Sequence, residues 1–409
     1  MAQSPISMAE SIQAPGCSIV LRRVEGPVAR ELFLHCRPAA DHDAGRQAEA
    51  IYAGILGVLQ GAGGRYASVV SETVFLRDLP ADIEPVRAAR QRIVALCEDP
   101  THRPATAEIE QPPLNEEARL EVLVQAVVPY ETSGQVKQLQ VRTDCRCGEC
   151  ARVQGLRVQI GEESRFHAAG LCAPGKNAYE QTHGMFGLAE ELLQQAGMEF
   201  SDVVRTWIYL RNIDRDYAAL NRARREFFGT RGVKPAPAST GVGGGLVSEA
   251  HDLCLGVYAV KAGQPPVRTV MTSPTLNEAG EYGADFVRGM RVGEANKIAL
   301  HVSGTASIDE QGRTAHAGDF EAQADRMLVN LAALLKQQGA AFSDVVSAVT
   351  YLKHPADAAG LQEKLREAGF RGFPHALVVA PICRPDLLCE TEALAVLPAS
   401  AAAGSRQPR

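Results

Sequence analysis

Apolar residues recur at helical spacing in three separate stretches of the chain. Ile51, Ile55, Val58 and Leu59 form one stripe, Met185, Leu188, Leu192 and Leu193 a second, and Met327, Leu331, Leu334 and Leu335 a third. Residues near i, i+4, i+7 and i+8 share one face of a helix, so each stripe predicts an amphipathic helix that buries that face. A glycine stands four residues beyond each stripe, as Gly63, Gly197 and Gly339. Glycine there marks a helix end, because it takes positive φ at little cost. Val69-Val70, Val203-Val204 and Val345-Val346 come next, and Val74-Phe75-Leu76, Ile208-Tyr209-Leu210 and Thr350-Tyr351-Leu352 close the same segments. This density of β-branched and aromatic residues predicts a strand after each helix.

A second helix is expected in each copy, over about residues 81–97, 214–229 and 356–369, followed by a Pro-containing segment and a final strand over 118–128, 252–261 and 387–397. One unit therefore occurs three times, over about 32–129, 166–262 and 299–398, as a repeat rather than as generic helix–strand alternation. The expected divisions are a first unit with an N-terminal extension (1–129), a Cys-containing linker (130–165), a second unit (166–262), a linker rich in Gly, Pro, Thr and Glu (263–298), a third unit (299–398) and an Ala/Ser/Gly-rich flexible tail (399–409).

Composition narrows the function classes. With 45% hydrophobic and 22% charged residues, the 409-residue chain has the mixture of a globular protein. Its 42 basic and 48 acidic residues leave a net charge of −6, which gives no global attraction to nucleic acid or an anionic membrane. Aromatics are 5%, too few to favour a base-stacking surface. No apolar run has the length of a membrane span. Residues 1–17 contain Glu10 and prolines, with no basic start before an apolar stretch, and do not read as a signal peptide. Ten cysteines, mostly scattered in apolar segments, fit reduced thiols in a cytoplasmic protein.

The third copy carries Ser303-Gly304, Gly339, Ser343-Asp344-Val345-Val346, Tyr351-Leu352, Phe373-Pro374 and Glu390-Thr391-Glu392-Ala393. In this order the motifs resemble the Rid/YjgF family. The resemblance implies an α+β fold of three tandem Rid/YjgF-like (chorismate-mutase-like) units that form an intrachain pseudo-trimer, with ligand clefts between neighbours. The family's deaminases hold a substrate carboxylate with an arginine on the strand before the last and activate water with a glutamate on the last. The glutamate position here is Glu121, Gly256 and Glu390, and the arginine position is Thr106, Ser239 and His375, so no copy keeps the arginine. Arg205-Thr206-Trp207, residues 237–243, Tyr282-Gly283 with Phe286-Val287-Arg288, and residues 384–390 further resemble chorismatases. That resemblance implies hydrolysis of the enolpyruvyl ether of chorismate, or of a related carboxylated cyclohexadiene, to give pyruvate.

Glu390 is the expected general acid/base. Strand alternation puts it on one face with Glu392, and a carboxyl group in a dry cleft has a raised pKa. Glu121 occupies the same place in the first copy, either as a second acid or as retained scaffold charge. A carboxylate substrate calls for arginine forks, and Arg288, Arg224, Arg384 and Arg205 lie within residues 166–398, over which the chorismatase resemblance runs, with Tyr282 and His375 as further candidates for substrate binding. The run Gly241-Val242-Gly243-Gly244-Gly245 lacks the Lys-Ser/Thr ending of a phosphate loop and reads as a close approach of backbone to a neighbouring unit or ligand. Cys145, Cys147 and Cys150 form a Cys-x-Cys-x-x-Cys cluster; a structural zinc, a local disulfide and no special role all fit it, and zinc would need a fourth ligand such as Cys172, Cys36 or a histidine. No cofactor is expected for catalysis. The expected assembly is a monomeric pseudo-trimer or a homodimer. A Rid-type deaminase of another reactive metabolite, and a non-catalytic small-molecule-binding protein, are the alternative functions.

Overall fold

The structure is a computed structural model that describes residues 6–40, 43–97, 101–130, 135–146, 153–262, 267–278, 285–295 and 297–399. Its elements, in chain order, are β1 (Glu10–Ala14), β2 (Cys17–Glu25), β3 (Ala29–Pro38), α1 (Ala44–Gly61), β4 (Val69–Leu76), α2 (Leu79–Val94), β5 (Ala105–Glu110) and β6 (Leu120–Pro129) in the first unit. The second holds β7 (Gln135–Val141), β8 (Val153–Ile160), β9 (Glu163–Leu171), α3 (Ala178–Gln195), β10 (Val203–Leu210), α4 (Ile213–Arg231), β11 (Ala238–Gly243), β12 (Gly245–Leu246) and β13 (Leu253–Lys261). The third holds β14 (Arg268–Val270), β15 (Gly289–Gly293), β16 (Lys297–Ala306), α5 (Phe320–Lys336), β17 (Val345–Leu352), α6 (Ala358–Glu367), β18 (His375–Val379) and β19 (Cys389–Pro398).

The three sheets share one topology: β1-β2-β3-β6-β4-β5, β7-β8-β9-β13-β10-β11 and β14-β15-β16-β19-β17-β18, with β12 added beside β5. In each, the last pair of this shared order is parallel, β4–β5, β10–β11 and β17–β18, joined by the helix between them. Each predicted stripe is buried against its own sheet: Ile51, Ile55 and Leu59 in the first core, Met185, Leu192 and Leu193 in the second, and Met327, Leu331, Leu334 and Leu335 in the third. Gly63, Gly197 and Gly339 all take φ between 74° and 77°, as the helix-end reading requires.

The segments expected as linkers are structured. Residues 130–165 supply β7 and β8, and 263–298 supply β14 and β15, the first strands of the second and third sheets. Their apolar positions cover the neighbouring unit. Leu156, Val158 and Ile160 pack on Ala29, Val70 and Val127 of the first unit. Met290 and Val292 pack on Val204, Ala238 and Val260 of the second. Val24 and Phe33 of the first unit meet Val346 and Val396 of the third, which closes the ring. The glycine run lies where the units meet. A Cβ on Gly243 would come within 2.7 Å of Pro381, and one on Gly244 within 2.7 Å of Ile109. No helix among the described residues is long and apolar enough to cross a membrane.

Candidate active site

At the junction of the second and third units, β11 lies against β16, and Ser239 N donates to Ser303 Oγ at 2.9 Å. A pocket of about 160 Å³ opens beside them. Glu390, the second residue of β19, projects into it together with Arg224 from α4, Arg288 from the entry to β15, and Arg384 from the loop before β19. The carboxyl sits against the backbone of β16: a Cβ on Gly304 would lie 1.9 Å from Glu390 Oε1. Only a glycine at 304 leaves the carboxyl its place.

Each arginine is held by a partner. Arg224 Nη2 donates to Asn221 Oδ1 at 2.6 Å and Nη1 to Ser239 Oγ at 3.4 Å. Arg288 Nε donates to the Asn277 carbonyl at 2.9 Å and Nη2 to Asn277 Oδ1 at 3.0 Å. Arg384 Nη1 donates to the Gly312 carbonyl at 2.8 Å. The guanidinium carbons of Arg224 and Arg288 stand 5.5 and 5.8 Å from the Phe286 ring centre, so one aromatic ring attracts both. Ser239 is the position at which the Rid deaminases carry an arginine, and α4 returns a guanidinium to that spot as Arg224.

Glu390 is 4% exposed. Burial, and then the neighbouring Glu392 carboxylate, push its pKa up to about 8 against the opposing pull of Arg205, Arg288 and Arg384. The group is therefore a carboxylic acid near neutral pH, facing cations suited to holding carboxylates. Cys383 lines the same pocket, and burial pushes its thiol up to about 12, so it is present as the neutral thiol.

Other expected residues lie elsewhere. Arg205 is not in this pocket. The alternation of β10 turns it inward with Trp207 and Tyr209, where its Nη2 donates to Glu392 Oε2 at 2.8 Å and Thr240 Oγ1 at 2.5 Å. His375 is not there either. At the start of β18 its Nε2 bonds Thr350 Oγ1 at 2.8 Å and its ring packs on Phe370 at 5.2 Å. Burial pushes its pKa down to about 3, which leaves it neutral. In the first unit, His35 Nε2 binds Glu121 Oε2 at 2.7 Å, both side chains being buried, so that carboxylate is engaged within its own unit. Tyr282, Cys147 and Cys150 lie outside the described residues. Cys145 Sγ lies 3.6 Å from His251 Nε2, and among the described residues no group of three or more His, Cys, Asp or Glu could hold a metal.

Sequence reasoning missed Tyr217, Asn221 and Cys383 in the pocket wall and Asn277 behind Arg288. Tyr217, Asn221 and Arg224 are spaced four and three apart on α4, a polar face at helical period that would have revealed the first two. Asn277 had no local signal, because it meets Arg288 across a loop.

Residues 159–261 and 281–397, more than half of the chain, match the family described as endoribonuclease L-PSP. A 3-hydroxybenzoate synthase of Streptomyces hygroscopicus is 26% identical over 56% of this chain and 72% of its own length. A chorismatase of Streptomyces rapamycinicus is 28% identical over 47% of this chain and 64% of its own, so the match spans under two thirds of that relative. A RutC family protein of Pyrococcus abyssi is 33% identical over 24% of this chain and 76% of its own. The crystal structure of a chorismatase superposes with a TM-score of 0.57 at 17% identity, covering 80% of this chain and 93% of the other, a likeness of fold.

Proposed function

The chain belongs to the endoribonuclease L-PSP (Rid/YjgF) family, and from that premise we propose that it is a chorismatase-like hydrolase that cleaves the enolpyruvyl ether of chorismate, or of a related carboxylated cyclohexadiene, to release pyruvate. The observation that carries this reading is a protonated Glu390 facing Arg224, Arg288 and Arg384 in one pocket. The arginines hold the substrate's carboxylates by charge-assisted hydrogen bonds. Glu390 gives its proton to the methylene carbon of the enol ether. The π pair forms the new C–H bond, and an oxocarbenium-like centre develops at the ether carbon. Water adds to that carbon and returns a proton to the Glu390 carboxylate. The resulting hemiketal breaks the bond between its former ether carbon and the ring oxygen, its hydroxyl becomes the ketone carbonyl and the proton passes to the ring oxygen, giving pyruvate and a ring alcohol. Cys383 presents a neutral thiol on the pocket wall.

The test is to incubate purified protein with chorismate and assay pyruvate. Turnover that Glu390→Gln abolishes supports the reading, and either no pyruvate or equal activity in the variant contradicts it. Ammonia release from freshly generated imino acids would instead favour the Rid-type deaminase. The absence of arginine at Thr106, Ser239 and His375 weighs against that alternative.

A further inference from the structure

The junction of the first and second units is built like the one that holds Glu390, with β5 against β9. The acid position here is taken by Cys254, which pairs with Tyr209 as Glu390 pairs with Tyr351 and Glu121 with Phe75, a correction to the expected Gly256. Gly256 lies two residues on, opposite Trp207, and a Cβ on it would stand 3.4 Å from the indole. A cavity of about 150 Å³, lined by residues of all three units, lies beside Gly256 and Trp207. Its lining includes the small side chains of Ala105, Ala107 and Ala169 together with the Trp207 ring.

The polar atoms facing this space are unusual. Among the described residues, Arg205 Nη1, His167 Nε2 and His301 Nε2 are buried without a hydrogen-bond partner. All three side chains line the cavity and are at least nine-tenths buried. Unsatisfied buried donors are costly, and a native fold retains them where something else satisfies them. The charge of Arg205 is already matched by Glu392 at 2.8 Å, and that of Lys297, which also lines the cavity, by Glu31 and Glu294. Both imidazoles are held neutral, their pKa values pushed down to about 3 by burial. The site therefore offers hydrogen bonds and an aromatic face without an uncompensated positive charge. An anion brought into it would remain unpaired at a high cost. About 150 Å³ is the size at which an apolar protein cavity takes up a single benzene ring.

We propose that this cavity is a binding site for an uncharged single-ring aromatic carrying a hydroxyl group, a phenol, with its ring against Trp207 and its oxygen on Arg205 Nη1. The inference is independent of the chemistry at Glu390.

Trp207 is the only tryptophan in the chain, so its emission reads this cavity alone. Phenol would be titrated into the full-length protein with excitation beyond the phenol band. The expected result is a saturable change in Trp207 emission and a rise in the thermal midpoint. Both should be kept in Glu390→Gln and lost in the cavity-filling variants Ala107→Leu and Ala169→Leu, whose folding is checked by circular dichroism. Benzoate should bind at least about tenfold more weakly, equivalent to about 1.4 kcal/mol. The proposal is overturned by quenching that stays linear in phenol, as for free tryptophan and as a cavity holding only water would give. It is equally overturned by binding that survives in a folded cavity-filling variant, or by benzoate binding as tightly as phenol.

Discussion

Glu390 ties catalysis and stability to the same proton. Its folded pKa, about 8, lies above the ordinary carboxyl value of 4.5. The folded state holds this proton across a range where the unfolded chain has released it. Stability from this group is thus fully present below 4.5 and is lost as pH rises through about 8. Glutamine mimics the neutral acid, so Glu390→Gln should unfold at a higher urea concentration than the parent at pH 9, by a few kcal/mol, while the two agree at pH 4; equal midpoints at pH 9 would contradict the raised pKa. Gly304→Ala tests the geometry. Its Cβ would fall 1.9 Å from Glu390 Oε1 and drive the carboxyl off its position. A shift of about 1 Å lowers kcat by roughly a hundredfold, and steady-state kinetics should show that loss with KM far less affected. The role of Glu390 was legible from strand alternation and family resemblance. The place of Arg205 was not, because its inward direction follows from how β10 faces the axis, and Glu392, which claims it, is 187 residues away in sequence.

The elements divide by whether local pattern specifies them. Helices α1, α3 and α5 and the strands after them were readable from their stripes, glycines and valine pairs, because each buries its apolar face within its own unit. Strands β7, β8, β14 and β15 were read as linkers, since the apolar residues of β8 and β15 are used against a neighbouring unit rather than their own helices. The glycine run was legible as a close approach. Gly244 presses on Ile109 and Gln111 of the first unit, while Gln111 Nε2 donates to the Gly243 carbonyl at 2.7 Å. Gly244→Val should therefore cost about 1–3 kcal/mol through overpacking, measured by urea denaturation. An unchanged midpoint would mean that β5 yields without strain.

At the scale of the whole molecule, one buried ion network joins all three units near the starts of β3, β9 and β16. Arg165, wholly buried, bonds Glu31 of the first unit at 2.8 Å, Glu163 of its own at 2.7 Å and Glu294 of the third at 3.1 Å. Lys297 also pairs with Glu294 at 2.6 Å and with Glu31. Removing Arg165 leaves acids buried without their main cation, so Arg165→Ala should destabilise the fold by about 3–5 kcal/mol, visible as a lowered urea midpoint. Such a ring of charge ties the three units together at the end of the sheets opposite to Glu390, since Lys297 pairs with Pro398 and Ala306 with Glu390 along β16 and β19. Three copies of one unit have diverged at the same strand position: Glu390 facing arginines in the third, Glu121 paired with His35 in the first, and Cys254 in the second. The central claim is that a neutral Glu390 supplies the proton that cleaves the enolpyruvyl ether. The pH dependence of kcat for pyruvate release from chorismate tests it most directly. The account predicts a rate that is high at neutral pH, falls on a basic limb centred near 8 and vanishes throughout in Glu390→Gln. A rate that rises through pH 8, or a basic limb that persists in the variant, would contradict it.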